Sequence, residues 1–283
     1  MDKVLLNLIN GLSFGFILFL VATGLSITLG LMRLINLAHG ALFLIGAYVG
    51  IMLVESGMHF LLAAVVSGIV VGIVGMVMER GFLRYLHGKL NEQVLLTFGF
   101  VYVISNACHW IWGASPTILT APVAGSISVG EFLFPIYPLV LILVGLAMAS
   151  GLYLFQEKTR IGAMIRAGMD NAEMTKGLGI NLGLVCSGVF ALGAFVAGFA
   201  GILGAPIFGV YPRAAVDTLT LAMIVVVVGG TGSIQGALIA SLIMGLLVSF
   251  AGAYFPLLSS FVMYLALIII LIFKPSGILG RRT

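Results

Sequence analysis

Charge is scarce in this chain. Asp, Glu, Lys and Arg make up 8% of its 283 residues, and hydrophobic residues reach 61%, against roughly 25% charged and 45–50% apolar in an ordinary soluble protein. So few charges cannot coat a water-facing surface. They also exclude a disordered chain, which needs low hydrophobicity and high charge. Cysteine is nearly absent: Cys108 and Cys186 stand apart inside apolar runs and form no CxxC pair, so they read as small buried hydrophobes. The strict alternation of a transmembrane β-barrel is missing as well. No Gly-x4-Gly-Lys-Ser/Thr loop is present to cradle phosphates. His39, His59, His87 and His109 fall in no zinc spacing, and no G-x-S-x-G elbow occurs. These absences leave no catalytic residue, no metal-ligand set and no cofactor site to expect. The net charge of +4 does not point to nucleic acid, because most of the cations lie in loops beside apolar runs.

What the chain has instead is long stretches without Lys, Arg, Asp or Glu: 4–32, 34–54, 56–78, 93–130, 132–156, 177–212 and 218–273. About 20 apolar residues cross a bilayer as a helix, so the expected fold is an all-α polytopic membrane protein, one domain over 1–283. The first run is much longer than a signal-peptide h-region and has no clear cleavage site, so it is read as a retained span. Segments 79–92, 157–176 and the tail after 273 hold ten of the 13 basic residues, which places all three in the cytoplasm. The stretch 113–131 has one acid, Glu131, and no base, and it is expected outside, as are Arg213 and Asp217. Spans are then expected at about 5–30, 34–54, 60–78, 94–112, 133–155, 183–205, 236–253 and 257–273, with the N-terminus outside. The piece 218–228 is short for an independent crossing, so the bundle has about eight or nine helices, some short or broken. Pairs such as Gly11/Gly15, Gly46/Gly50 and Gly68/Gly72 mark faces for close helix packing within the bundle.

Charge at mid-bilayer costs roughly 2.5–3.5 kcal/mol on insertion scales, so a buried acid is the usual mark of an ion-coupled carrier. Glu55, Glu79, Glu131, Glu157 and Asp217 all lie at run ends. That argues against such coupling and suggests a transporter powered from outside the chain.

Three constellations carry information. In Arg33-Leu-Ile-Asn36-Leu-Ala-His39-Gly40, Asn36 and His39 share one helical face. Either they point into the bundle or a cavity, or they sit at the headgroup level of a helix start. The segment from Arg160 to Asn181 has Ile161, Met164 and Ile165 at helical spacing, with Gly168 able to stop that turn. Asp170 and Glu173 form an N-cap signature, and Gly177 or Gly179 can supply a left-handed C-cap. One or two short helices are expected there, lying across the cytoplasmic face with Arg166 and Asp170 exposed as a docking surface. The third, Gly229-Gly-Thr-Gly-Ser233-Ile-Gln-Gly236, interrupts the last apolar run. Irregular backbone at membrane depth is tolerated where it is buried or lines a cavity.

At these residues the sequence resembles the permease subunits of branched-chain amino acid (and related) ABC importers. The matching motifs are Asn36-x-Ala38-His39-Gly40 with Gly46-Ala47-Tyr48, then Gly162-x3-Arg166-Ala167 with Asn171 and Gly179-Ile-Asn181. After them come Gly229-Gly-x-Gly232-Ser233-x2-Gly236-Ala237 and the tail Pro275-Ser-Gly277-Ile-Leu-Gly280-Arg281. The resemblance runs from about Asn10 to Arg281 and is nearest the shorter of the two permease types that pair in one importer.

The resemblance implies a bacterial inner-membrane protein with a second homologous permease subunit, two cytoplasmic ATPases and an external solute-binding protein as partners, besides the lipid bilayer. It implies a cytoplasmic coupling loop at 157–181, with Arg160, Gly162, Arg166, Ala167, Asp170, Asn171, Glu173, Gly179 and Asn181 as its coupling residues. Candidates for the translocation path are Asn36, His39, Gly40, Ser105, Asn106, Gly230, Gly232 and Ser233. Relatives that carry urea, short amides or other amino acids share the motifs. An ATP-independent channel and a secondary carrier are the competing classes.

Overall fold

The computed structural model describes residues 2–32, 34–123, 125–129 and 132–280. Arg33, Glu131, Arg281 and Arg282, which carry part of the motifs and of the charge count, lie outside the described residues. The elements in order are α1 (Asp2–Met32), α2 (His39–Glu55), α3 (Phe60–Gly81), a 3-10 turn (Leu83–Leu86), α4 (Leu90–Trp112), β1 (Ser126–Val129) and β2 (Phe132–Pro135). They continue with α5 (Ile136–Lys158), α6 (Arg160–Asp170), α7 (Ala172–Gly177), α8 (Leu182–Phe208), α9 (Ala214–Gly229), α10 (Ile234–Tyr254) and α11 (Pro256–Phe273). Seven of these helices are long and apolar enough to cross a membrane, and α2 and α9 are shorter apolar helices. The chain is an all-α polytopic membrane protein, with one antiparallel hairpin, β1–β2, in the loop after α4.

Helix α8 is the axis of the bundle, and α1, α2 and α3 pack on it. It is 61% buried along its span, whereas α11 at the periphery is 6% buried. Glycine makes these crossings close. A Cβ added at Gly46 would lie 2.3 Å from the Cα of Gly198, and one at Gly11 would lie 2.9 Å from the Cα of Leu246. The small-residue pairs therefore serve packing within the chain. In lipid there is little gain from burying apolar surface between helices, so backbone proximity has to supply the packing.

Several expected boundaries move. Helix α2 begins at His39, because residues 34–38 form a non-helical approach in which Leu34, Asn36 and Ala38 are buried. The Asn36 side-chain oxygen accepts from the Ala38 N–H at 3.1 Å, an Asx turn that competes with helix there. Helix α9 starts at Ala214, so Asp217 lies in its first turn, and the following residues are helical where only a short piece was expected. Arg213 pairs with Asp217 at 3.9 Å, and an acid in a first turn suits the helix dipole. Residues 133–135, expected in a span, belong to β2.

The run-end argument also misplaces Glu79. It is fully buried between α3 and α8, where its Oε2 accepts from Ser187 Oγ at 2.5 Å and its Oε1 has no partner among the described residues. Removing a buried partner exposes the full desolvation cost of the group left behind. Ser187→Ala is therefore expected to lower stability by about 1–3 kcal/mol, read as a lower unfolding temperature in detergent. An unchanged temperature would mean that Glu79 does not depend on α8.

Candidate functional site

One end of the bundle gathers the sequence motifs. Helices α6 and α7, the Gly-rich break between α9 and α10, the end of α1 and the C-terminal tail all meet there. Each short helix is built by a side-chain cap. Thr159 accepts from the Gly162 N–H at 3.0 Å and starts α6. Asn171 accepts from the Met174 N–H at 3.0 Å and starts α7, and Asn181 accepts from the Leu184 N–H at 3.2 Å and starts α8. The α7 cap is thus Asn171, one residue after the expected Asp170, which is the last residue of α6. Gly168 does not stop α6; it lies buried in the helix, where a Cβ would meet Leu31 and Leu182. Gly179, at φ +81°, takes the left-handed turn after α7 that L side chains adopt rarely. Gly162 is needed for space, since a Cβ there would meet the carbonyls of Phe155 and Gln156.

The charged residues of this segment divide. Arg166 is tied to Glu157 at 3.5 Å and its side chain is mostly covered. Arg160, Asp170 and Glu173 are exposed, and Ala167 is half-buried. Two residues that the sequence motifs did not single out are the most prominent apolar groups on α7 and its end: Met174, 68% exposed, and Leu178, 74% exposed. Their signal was available in the sequence, as two apolar residues one helical turn apart inside a polar loop.

Arg166 and Asp170 line a cleft of about 580 Å3 together with Gln156, Gly30, Gly232 and Ser233. The structure therefore joins two motifs that lie some 60 residues apart in the chain. At the cleft floor the Gly232 N–H donates to the Ser26 carbonyl at 3.1 Å and to the Ser26 Oγ at 3.0 Å. A Cβ on Gly30 would lie 2.5 Å from the Cα of Gly232 and 3.1 Å from the Met169 methyl. The Met169 thioether thus sits on the crossing of α1 with the break. Ser233 accepts from the Gly236 N–H at 2.9 Å and restarts the chain as α10. The tail closes the other side. Ile278 and Leu279 N–H groups donate to the carbonyls of Val228 (2.7 Å) and Gly229 (3.1 Å) at the end of α9. Gly230 lies against Gly280, with no room for a Cβ.

The remaining path candidates lie elsewhere. Asn36 and His39 are buried in packed interior. His39 Nε2 donates to the Val21 carbonyl at 2.9 Å, an assignment that follows because a carbonyl can only accept. Gly40 brings α2 against the Ala215 carbonyl of α9. Of the two readings of this cluster, the bundle interior is the one adopted, with the polar atoms spent on backbone. Ser105 is half-buried and Asn106 exposed on α4, where the Asn106 amide donates to the Tyr102 carbonyl at 2.8 Å. These two do not join the cleft.

The chain matches the family model described as "Branched-chain amino acid transport system / permease component" over residues 7–271. It is 30% identical to the high-affinity branched-chain amino acid transport system permease protein BraD of Pseudomonas aeruginosa, over 97% of this chain and 95% of that protein. It is 29% identical to the corresponding protein LivH of Escherichia coli, over the same shares. A probable branched-chain amino acid transport permease of Methanocaldococcus jannaschii is 25% identical over 93% of this chain and 89% of its own length. Among solved structures, a chain of PsaBC from Streptococcus pneumoniae in complex with Fab superposes with a TM-score of 0.54 at 12% identity, covering 93% of this chain and 89% of that one. This last likeness is one of fold.

Proposed function

The chain belongs to the family of permease components of branched-chain amino acid transport systems, and from that membership we propose that it is the membrane half-path of an ATP-driven importer of branched-chain or similar hydrophobic amino acids. In this reading it lies in the bacterial inner membrane beside a second homologous permease. Helices α6 and α7 and the tail face the cytoplasm and two ATPases, and an external solute-binding protein delivers the solute. ATP hydrolysis belongs to the partner chains.

The observation that carries the reading is the construction of α6 and α7. Two capped helices at one end of the apolar bundle expose Met174 and Leu178 beside Asp170 and Glu173. An apolar pair rimmed by charge on a water-facing helix fits a protein groove. Gly162, Asn171, Gly179 and Asn181 shape this handle, and Arg166 fixes its posture through Glu157. A displacement of α6 by an ATPase would reach the break at Gly230–Ser233 through Met169 and Gly30. Packed elements of this kind transmit rigid-body motion. Asn36, His39 and Gly40 then serve the path by holding α2 against α1 and α9.

The test is reconstitution of the chain with a companion permease, two ATPases and the solute-binding protein in liposomes. Uptake of leucine, isoleucine or valine is expected only with ATP and binding protein together. Solute passage by the chain alone, or uptake driven by an ion gradient, would replace this reading with a channel or a secondary carrier. ATP-dependent uptake of urea or a short amide instead would keep the importer and change its solute.

A further inference from the structure

An apolar groove of about 380 Å3 runs between the end of α5, the face of α6 and the first turns of α8. Its walls include Phe155, Ile161, Met164, Leu184, Gly188 and Leu192. Gly188 leaves its floor open, because a Cβ there would meet nothing within 4 Å. Ile161 and Leu184 at its margin are more than half exposed. From Leu184 to Leu192 the groove follows α8 for about 12 Å of helical rise. It therefore descends from the α6 end of the bundle along the outer surface of a membrane-spanning helix.

Two cations adjoin the groove in the chain, between its lining residues Phe155 and Ile161. Lys158 and Arg160 flank Thr159 at the corner between α5 and α6, both exposed. Neither forms an ion pair with any described residue, in contrast to Arg166 and Arg213. Helix α6 turns Ile161 and Met164 to the groove and keeps Arg160 and Asp170 exposed. A helix with one apolar and one charged face, placed at the end of a membrane bundle, lies in the headgroup region. An apolar groove and two exposed cations at the adjoining α5–α6 corner match the two parts of a phospholipid, an apolar chain and a phosphate.

We infer that the α5–α6–α8 groove is a binding site for an anionic phospholipid, one acyl chain lying on Gly188 and the headgroup phosphate held by Lys158 and Arg160. The site goes beyond the transport reading and does not depend on which solute is carried. It would seat α6 on the bilayer at the corner where the handle leaves α5.

The chain purified from bilayers of mixed phosphatidylcholine and phosphatidylglycerol is examined by native mass spectrometry for retained lipid, with circular dichroism as the folding control. The wild-type chain is expected to retain phosphatidylglycerol over phosphatidylcholine by roughly tenfold. The double variant Lys158→Gln/Arg160→Gln is expected to lose that preference while still holding lipid. Gly188→Leu is expected to lose both lipids. Equal retention of the two lipids by the wild-type chain would overturn the site, as would a preference that survives the charge variant. If inorganic phosphate displaced the phosphatidylglycerol, or a second protein chain filled the groove in its place, the lipid assignment would also fall.

Discussion

Replacing Met174 and Leu178 together by aspartate is expected to abolish ATPase association while leaving the permease folded in the membrane. Both side chains stand in solvent, 68% and 74% exposed. Neither holds the bundle, so the variant should purify and unfold like the wild type. Burying a Met or Leu side chain in a partner groove is worth about 1.5–3 kcal/mol. Losing two such anchors removes roughly 3–6 kcal/mol, or about a hundredfold or more in affinity. Two new carboxylates in an apolar groove would add to the loss. Co-purification of the ATPase and solute uptake measure it. Association at the wild-type level would remove α7 from the interface.

Arg166→Glu acts by a different route. Arg166 lies beside Glu157 at 3.5 Å and is mostly covered. Reversal therefore sets two acids together and shifts the α5–α6 corner, and it does not simply delete an exposed contact. It is expected to lower uptake more than it lowers ATPase binding. The ratio of uptake to ATP hydrolysis reads the difference between the two variants.

Much of this architecture is legible before any coordinates, for one physical reason: charge is costly in hydrocarbon, so stretches free of it trace the spans. The reading fails where tertiary partners decide. Glu79 sits at the edge of an apolar run and reads as a headgroup residue, yet Ser187 of α8, 108 positions away, draws it into the interior. The turn at Asn36 delays α2 to His39, since a short polar side chain can take its own backbone out of the helix. Asn171 and Asp170 are neighbours with equal capping chemistry, and only the backbone geometry selects Asn171. The pairing of the tail with the end of α9 has no local signal, although its glycines hint at close approach. The handle itself was legible as caps and glycines. Its apolar contact pair also left a signal, two apolar residues one turn apart in a polar loop, but Met and Leu in a membrane protein read first as core.

The crossing of α2 and α8 predicts the largest loss of stability. At Gly46 an added Cβ would lie 2.3 Å from the Cα of Gly198 and 2.4 Å from its carbonyl oxygen. Backbone on both sides leaves nothing flexible to yield. Helix α3 locks the same point, since Ser67 Oγ donates to the Gly46 carbonyl at 2.6 Å and Val71 fills the space in front of Gly198. Separating α2 from α8 therefore breaks a three-helix junction, and lipid offers no hydrophobic return for the surface released. Gly46→Ala is expected to cost at least about 1–3 kcal/mol, and Gly46→Leu to yield no monodisperse protein. Gly99 of α4 makes the control, because a Cβ there would meet nothing within 4 Å. Alanine at that position removes a flexible residue from a helix interior and is expected to stabilise the chain by up to about 1 kcal/mol. Unfolding in detergent compares the two. If Gly46→Ala and Gly99→Ala behave alike, α2 and α8 do not meet through their glycines, and the packing of the bundle around α8 falls with that contact.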